Sequence, residues 1–424
     1  MAFGKRLDRR LSLVFVAPLV FALSFAALSD DAFAAKQRAS HHFTSQESHQ
    51  RPEKYRSGSF KSTSARKFKV KTRRIASLKK SSFWNTRPYQ FATPLVAGDR
   101  IFVGVDAGRF YAFDLEKGKQ LWEFQTDGPV HSKAAYADGA VYVPDVEGRV
   151  YALDAGSGEK RWTATLDTDI LATPYVEGNR LYVATMSGRL YALDISTGVE
   201  LWHTDTDEKE FGFSVRRSSA PVAAGGVVLY GTSSGLLRAV RGSDGSQVWS
   251  RQLSEKKGQV YDVDSEPLLY NGKVYESTAE GTLSSIDLAS GRIIWTVDAG
   301  GVNDPIAKDG RIYCTGGGSL YALDPDSGDI YWQQDLEVPE ISSPVSNDNY
   351  IAVTSTREKI YLIDRDSGDI AYERYIGKGS YGDPIVSGDK VYLLGNTGKL
   401  FSFLIKEAEP KEEAKVKKGK KKAE

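Results

Sequence analysis

Short hydrophobic runs alternate with polar, glycine-rich clusters along most of the chain. In the stretch 172–202, runs of strand length occupy residues 172–176, 181–184, 190–193 and 199–202, and the residues between them are those typical of hairpin turns. The pattern recurs about every forty residues. Four short antiparallel strands in this length match one blade of a β-propeller, a unit that cannot bury its apolar faces alone.

A motif of the form A-x-D-x-x-x-G-x-x-x-W marks each repeat. Its aspartate can accept hydrogen bonds from the following turn, its glycine supplies a positive φ, and its tryptophan brings a large apolar surface to the outer strand. The alanine opposite leaves room for the indole. Clear copies end at Trp122, Trp162 and Trp202, and weaker copies end at Trp249, Trp295, Trp332 and Tyr372.

The number of blades follows from the runs that open each repeat. These runs start near Pro94, Ala135, Pro174, Pro221, Pro267, Pro305, Pro344 and Pro384. They predict an all-β fold, an eight-bladed β-propeller of four-stranded antiparallel blades over residues 68–405, with seven blades as the alternative. The last repeat stops after its third strand. We therefore expect a segment within 68–84, which contains Trp84, to close the eighth blade.

The two ends of the chain differ from the repeats. Residues 1–34 have the pattern of an export signal, with four basic residues, an apolar stretch at 11–28 and a small-x-small site at Ala32–Ala34. An uncleaved membrane anchor is the alternative, and both place the repeats outside the cytoplasm. Residues 35–67 predict a disordered basic tether, and residues 406–424 predict a disordered charged tail.

Charge is segregated along the sequence. Residues 36–80 hold fourteen Lys/Arg against two Asp/Glu, whereas residues 81–405 hold thirty against forty-five. The basic stretch suits contact with anionic components of the cell envelope, and a solvated spacer is the alternative. No feature predicts nucleic-acid binding.

The sequence predicts no catalytic, cofactor or metal site. It lacks a phosphate-binding glycine loop, G-x-S-x-G and H-E-x-x-H, and its five histidines form no recognisable triad. The repeat motif resembles the tryptophan-docking motif of the quinoprotein dehydrogenases. The resemblance implies a cofactor stacked on two disulfide-bonded cysteines, but this chain has one cysteine, Cys314, which we interpret as a small buried residue. A quinoprotein enzyme is therefore not expected.

Two connections between repeats are longer than the others and are expected on the same face, side by side. Residues 204–220 and 253–266 carry aromatic and apolar residues next to charged ones, as protein interfaces do. The predicted partner-binding residues are Phe211, Phe213, Val215, Arg216, Asp262, Val263 and Asp264. Alternatively, the aromatics cap the core of the ring and Arg216 pairs with Asp262 or Asp264.

Three stretches carry a second resemblance. F-S-V-R-R-S-S-A-P (213–221), Y-D-V-D-S-E-P (261–267) and G-V-N-D-P-I-A-K-D-G-R-I-Y (301–313) resemble loops and strands of the BamB family. That resemblance implies a non-enzymatic scaffold of the β-barrel assembly machinery. It implies docking on the POTRA domains of the barrel subunit BamA, and other machinery subunits and unfolded outer-membrane proteins as further partners. The implied contact patch falls on Phe213, Val215, Arg216, Asp262 and Asp264.

One departure from the family concerns attachment to the membrane. Members commonly carry a lipid on a cysteine directly after the signal sequence, whereas residues 29–40 contain no cysteine. We therefore expect a periplasmic protein without a lipoprotein cysteine that reaches the outer membrane through its partner. A propeller that binds a cell-wall or other envelope ligand is the alternative function.

Overall fold

The structure, a computed structural model, describes residues 66–78, 90–205, 219–254, 263, 265–299 and 303–408. These residues belong to one compact unit, Ser57–Glu424. Their regular structure is entirely β-strand, and the strands form eight four-stranded antiparallel sheets. The predicted signal peptide, most of the tether and most of the tail lie outside the described residues.

The first four blades follow one another along the chain, each with its innermost strand first. Blade 1 contains β2 (Leu95–Ala97), β3 (Arg100–Val105), β4 (Arg109–Asp114) and β5 (Gln120–Gln125). Blade 2 contains β6 (Ala135–Ala137), β7 (Ala140–Pro144), β8 (Arg149–Asp154) and β9 (Lys160–Thr165). Blade 3 contains β10 (Tyr175–Glu177), β11 (Arg180–Ala184), β12 (Leu190–Asp194) and β13 (Glu200–His203). Blade 4 contains β14 (Val222–Ala224), β15 (Val227–Gly231), β16 (Leu236–Arg241) and β17 (Gln247–Gln252).

The other four blades keep this order until the last. Blade 5 contains β18 (Leu268–Tyr270), β19 (Lys273–Ser277), β20 (Thr282–Asp287) and β21 (Ile293–Asp298). Blade 6 contains β22 (Ile306–Lys308), β23 (Arg311–Gly316), β24 (Ser319–Leu323) and β25 (Ile330–Asp335). Blade 7 contains β26 (Val345–Ser346), β27 (Tyr350–Thr354), β28 (Lys359–Asp364) and β29 (Ile370–Tyr375). Blade 8 contains β30 (Ile385–Ser387), β31 (Lys390–Gly395), β32 (Lys399–Glu407) and, as its outer strand, β1 (Phe68–Ser77).

The ring closes between the two ends of the chain, as the sequence predicted. The N-terminal strand β1 pairs with the C-terminal strand β32 from Phe68↔Glu407 to Ser77↔Lys399. The inner strands of blades 8 and 1, β30 and β2, also contact each other. Strand β32 continues two residues past the predicted boundary at 405. Eight blades are therefore confirmed, and the seven-bladed alternative is wrong.

The repeat motif works as its residue types predict. In blade 1, Asp114 accepts hydrogen bonds from the backbone N–H groups of Glu116 and Lys117 at 3.0 and 2.6 Å. Ala112 lies opposite Trp122 in the sheet, and a one-residue bulge follows this pair. The Trp122 indole donates a hydrogen bond to the Ala155 carbonyl of blade 2 at 3.1 Å. The same bond fastens blades 1 to 5 to their successors.

The core consists of eight apolar clusters, one at each interface between neighbouring blades. The cluster between blades 1 and 2, for example, contains Phe102, Trp122, Val143 and Leu153. The motif glycine of the next blade lies flat against the indole: a Cβ added to Gly198 would meet the Trp162 ring at 2.5 Å, at a φ of +74°. The period of forty residues is therefore set by packing between blades as well as by the turns.

Candidate functional site: the rim of blades 4 and 5

The connections that link an outer strand to the next inner strand all leave from one face of the ring. Five of them contain seven to nine residues. The connection from β13 to β14 contains 18 residues and the connection from β17 to β18 contains 15, so the predicted extra length at blades 4 and 5 is present. We call the described residues at the ends of these two connections the four-five rim: residues 204–205, 219–221, 253–254, 263 and 265–267.

A third long connection was missed from the sequence. Strand β1 ends at Ser77 and β2 begins at Leu95, so 17 residues lead from blade 8 to blade 1 on the same face. The sequence predicts a closing strand within 68–84, and Trp84 lies outside the described residues. The sequence carries a signal of this boundary, because the adjacent basic residues Lys79-Lys80 interrupt the alternation that a strand requires.

The first connection begins on a buried polar support. The Thr204 hydroxyl accepts hydrogen bonds from the Leu190 N–H at 2.9 Å and from the Tyr230 hydroxyl at 3.2 Å. The Arg238 guanidinium donates to the Asp205 carbonyl at 3.5 Å. Arg238 is 9% exposed at a strand position where blades 1 to 3 have Tyr111, Tyr151 and Tyr191. A buried cation at this position needs polar partners, which the start of the connection helps to supply.

The second connection ends on a buried carboxylate. Glu276 in β19 is fully buried, at a position that holds valine in blades 1 to 3. The Ser265 hydroxyl donates a short hydrogen bond to its carboxylate, and the Ser277 N–H donates to the Ser265 hydroxyl at 3.2 Å. A buried acceptor of this kind fixes the chain that satisfies it.

One hydrogen bond joins the two connections directly. The Ser219 hydroxyl, at the end of the first, donates to the Ser265 carbonyl, at the end of the second, at 2.6 Å. Both serines are buried. The two connections therefore enter the ring side by side, as predicted, on supports that fix their ends.

Val263 is the described member of the predicted contact set, and it does not present its side chain to a partner. It is 1% exposed and packs against Gly231, whose added Cβ would meet Val263 Cγ1 at 2.4 Å. Its N–H donates to the Thr232 carbonyl at 3.1 Å. The prediction for Val263 is corrected accordingly: this residue anchors the connection. Val130 occupies the same place against Gly104 in blade 1, a repeat in the sequence that could have identified the role.

The other predicted contact residues lie outside the described residues. They are Phe211, Phe213, Val215, Arg216, Asp262 and Asp264. Their place on the surface, and the alternative pairing of Arg216 with Asp262 or Asp264, stay predictions.

The inner ends of the connections form a chain of hydrogen bonds around the mouth of the ring. The Glu266 N–H donates to the Asp304 carboxylate at 2.8 Å, and the Ser343 N–H donates to the Asp383 carboxylate at 2.8 Å. The Asp383 N–H donates to the Thr93 hydroxyl at 2.9 Å, across the closure of the ring. Burial raises the pKa of Glu266, Lys133 opposes this shift, and Asp383 adds to it. The mouth is therefore acidic on the side of blades 5, 6 and 8.

The described residues hold no group of three or more His, Cys, Asp or Glu side chains arranged to bind a metal ion. Cys314 is fully buried, as interpreted from the sequence, and burial raises the pKa of its thiol to about 12. A thiol of this pKa is protonated and unreactive near neutral pH. No helix in the part of the chain described is long and apolar enough to cross a membrane.

Fold and rim together define a class: an eight-bladed propeller with tryptophan-docked blades, closed by its N-terminal strand, with long connections on one face. A family model described as "Outer membrane protein assembly factor BamB" matches residues 71–134, 127–334 and 316–411. Because these matches cover most of the chain, the protein belongs to that family.

Individual relatives carry the same description. The outer membrane protein assembly factor BamB of Yersinia pestis is 30% identical over 198 residues, which are 45% of this chain and 50% of the relative. That of Salmonella typhimurium is 36% identical over 139 residues, which are 31% of this chain and 36% of the relative. The chain thus spans about half the length, or less, of the curated relatives it matches.

Solved structures agree on the fold. BamB from Moraxella catarrhalis superposes with a TM-score of 0.69 at 20% identity, over 78% of this chain and 99% of that one. A europium-containing methanol dehydrogenase superposes with a TM-score of 0.65 at 15% identity, over 78% and 93%. At these identities the likeness extends to the fold alone.

Proposed function

We propose that this protein is a non-enzymatic scaffold in the periplasm that assists the assembly and insertion of outer-membrane proteins. Its direct partner in this proposal is a BamA-like barrel protein, bound through POTRA domains. The family match over residues 71–411 is the observation that carries the proposal. The export pattern of residues 1–34 supports the compartment.

The four-five rim supports the location of the contact. The bond from Ser219 to Ser265 and the packing of Val263 on Gly231 hold the ends of both connections in place. A loop with fixed ends loses less conformational entropy when it binds than a free one. Between those ends the sequence places Phe213, Arg216 and two aspartates, residue types suited to a small number of strong contacts.

Charge reversal tests the contact. We expect Arg216→Glu, and separately Asp262→Arg/Asp264→Arg, to weaken binding to the barrel protein's POTRA domains at least tenfold, or about 1.4 kcal/mol. Like charges placed across a desolvated contact cost this much or more. Binding is measured by titration with the purified domains, and co-purification from cells provides a second readout.

Arg357→Glu is the matched control, because Arg357 is an exposed arginine in a turn on the same face, at blade 7. It should bind like the unchanged protein. Equal binding by all three variants would remove the two long connections from the interface, and equal weakening by all three would mean that the loss is not specific to those connections.

A further inference from the structure

The strand that closes the ring carries charge of one sign. Strand β1, Phe68–Ser77, contains Lys69, Lys71, Arg73 and Arg74 and no acidic residue, and all four are exposed. With ten residues it extends about 33 Å along the outer edge of blade 8. The result is a long basic stripe on the outside of a propeller whose sequence is otherwise acidic.

Protection of a free sheet edge does not explain this composition. Charged residues on edge strands do discourage pairing with other chains. The seven other outer strands are equally exposed at their edges, yet together they carry four Lys/Arg and five Asp/Glu. Edge protection is therefore achieved in this fold with mixed charges, and β1 departs from that rule.

The stripe also places like charges directly opposite each other. Lys69 pairs with Lys406 of β32, and both side chains are exposed. Glu407 pairs with Phe68, one position along, and therefore lies on the other face of the sheet. Like charges opposite each other destabilise a sheet, a cost that a bound anion would remove.

The lysines of the stripe are available for binding, whereas one of its arginines, Arg73, already donates hydrogen bonds within the propeller. In the described part of the chain, Lys69, Lys71 and Lys406 form no ion pair. Arg73 donates to the carbonyls of Glu116 and Lys117 in blade 1. Just before the strand, Arg66 binds Asp366 at 2.7 Å.

Both ends of the chain leave the propeller beside this stripe. The Ala408 N–H donates to the Lys67 carbonyl at 2.7 Å, so the preceding and following segments are attached at one point. Residues 36–65 contain six Lys/Arg and two Asp/Glu, and residues 409–424 contain seven Lys and four Glu. Two further basic segments therefore start where the basic strand starts.

We propose that the outer edge of blade 8 docks on a membrane surface of anionic phospholipids, with Lys69, Lys71 and Lys406 as the central contacts. A single phosphate would be held by a concave set of donors, whereas a straight stripe of this length suits many phosphates spread over a plane. Basic side chains near an anionic membrane contribute about 1 kcal/mol each and act within a Debye length. The edge would hold the propeller against the membrane while the connections on its face stay accessible.

Vesicle co-sedimentation of the full chain tests this proposal. The vesicles contain phosphatidylglycerol with phosphatidylethanolamine, and phosphatidylcholine vesicles give the baseline for uncharged contact, including any from the apolar stretch at 11–28. The variant is Lys69→Gln/Lys71→Gln/Lys406→Gln. We expect its partition coefficient on anionic vesicles to fall about 100-fold, because each of the three lysines contributes about fivefold.

The matched control is Lys160→Gln/Arg292→Gln/Arg357→Gln, which removes three exposed charges from blades 2, 5 and 7. It should change the partition coefficient less than twofold. Equal loss in both variants, or no preference for anionic vesicles, would overturn the proposal. So would retention on purified cell-wall sacculi that depends on the three lysines without vesicle binding.

Binding to the barrel protein separates this proposal from the scaffold function. The triple lysine variant should bind POTRA domains normally, because its substitutions lie at blade 8 and the predicted contact lies at blades 4 and 5. Normal POTRA binding with lost vesicle binding supports a separate membrane contact. Loss of both would mean that the substitutions act through the fold or on a shared surface, and would overturn it.

Discussion

At the scale of single residues, the ring differs from eight equal repeats at a few buried polar positions. Arg238 and Glu276 replace core residues that are tyrosine and valine in blades 1 to 3, and each lies beneath an end of a long connection. Buried polar residues cost stability unless they are bonded. Because each is bonded to an end of a long connection, we infer that they serve to position those connections.

Glu266 gives a pH-dependent prediction at this scale. Burial raises its pKa above the usual 4.5, so the folded state holds its proton more tightly than the unfolded state does. The carboxyl therefore costs no stability below pH 4.5, and the cost grows as the pH rises through the folded-state pKa. Glu266→Gln should raise the Tm at pH 7 and leave it unchanged at pH 4.

Thermal unfolding across this pH range is the measurement, and Glu159→Gln, at an exposed glutamate in a turn of blade 2, is the control. The control should show no pH-dependent gain. Destabilisation by Glu266→Gln at pH 7 would mean that the charge is needed, most directly as the partner of Lys133.

Gly231 gives a second prediction about single residues. A Cβ at this position would meet Val263 Cγ1 and the Val263 carbonyl, both at 2.4 Å, so Gly231→Ala must displace the anchor of the second connection. Overpacking of this kind costs about 1–3 kcal/mol. We expect denaturant unfolding to show a loss in this range together with weaker POTRA binding.

Gly104→Ala separates the two effects. Its Cβ would meet Val130 Cγ1 at 2.2 Å, so the same clash occurs in blade 1, away from the four-five rim. The stability loss should be similar and POTRA binding unchanged. Equal weakening of binding by both variants would make the effect one of global stability.

At the scale of elements, the blades are fastened by their outer strands. Five tryptophans donate an indole hydrogen bond to a backbone carbonyl of the next blade. The first is Trp122, which donates to Ala155, and the last is Trp295, which donates to Pro325. Blade 8 has no tryptophan in its outer strand, because that strand is β1. Ile75 and Arg73 instead lie against Gly118 of blade 1. The interface between blades 8 and 1 is thus closed by a guanidinium, where five of the other interfaces use an indole.

Arg73→Ala should therefore weaken the interface between blades 8 and 1. It leaves the carbonyls of Glu116 and Lys117 without their donor, and a lost hydrogen bond to a charged group costs about 1.5–3 kcal/mol, here reduced by exposure. We expect a lower midpoint of urea unfolding. Arg74→Ala, one residue along and without a hydrogen bond or ion pair in the described part of the chain, should have no effect; equal shifts in both would refute the assignment.

The propeller fold could be predicted from the sequence because every repeat shows the same period. The arrangement of the site at blades 4 and 5 could not. Asp114, Gly198 and Trp122 act locally or on the adjacent blade, so the residue type implies the contact. The roles of Val263 and Glu266 depend on which blade they belong to and which side of the ring they face. The sequence indicates this only through isolated similarities between repeats, such as Val130 in blade 1. The predicted closing segment extends to Trp84, whereas β1 ends at Ser77. The difference arises because strand boundaries depend on the partner strand.

At the scale of the whole molecule, closure depends on pairing between the two ends of the chain. Without β1, the nine-residue strand β32 would present a free edge with Phe401 and Phe403, and Phe68 and Val70 would leave the cluster between blades 7 and 8. We expect deletion of 66–78 to lower the Tm, broaden the unfolding transition and cause aggregation. Deletion of 409–424, which begins after the last residue of the ring, should leave Tm and solubility unchanged. Scanning calorimetry with light scattering measures both, and a soluble monomer with a sharp transition after loss of 66–78 would mean that β1 does not close the ring.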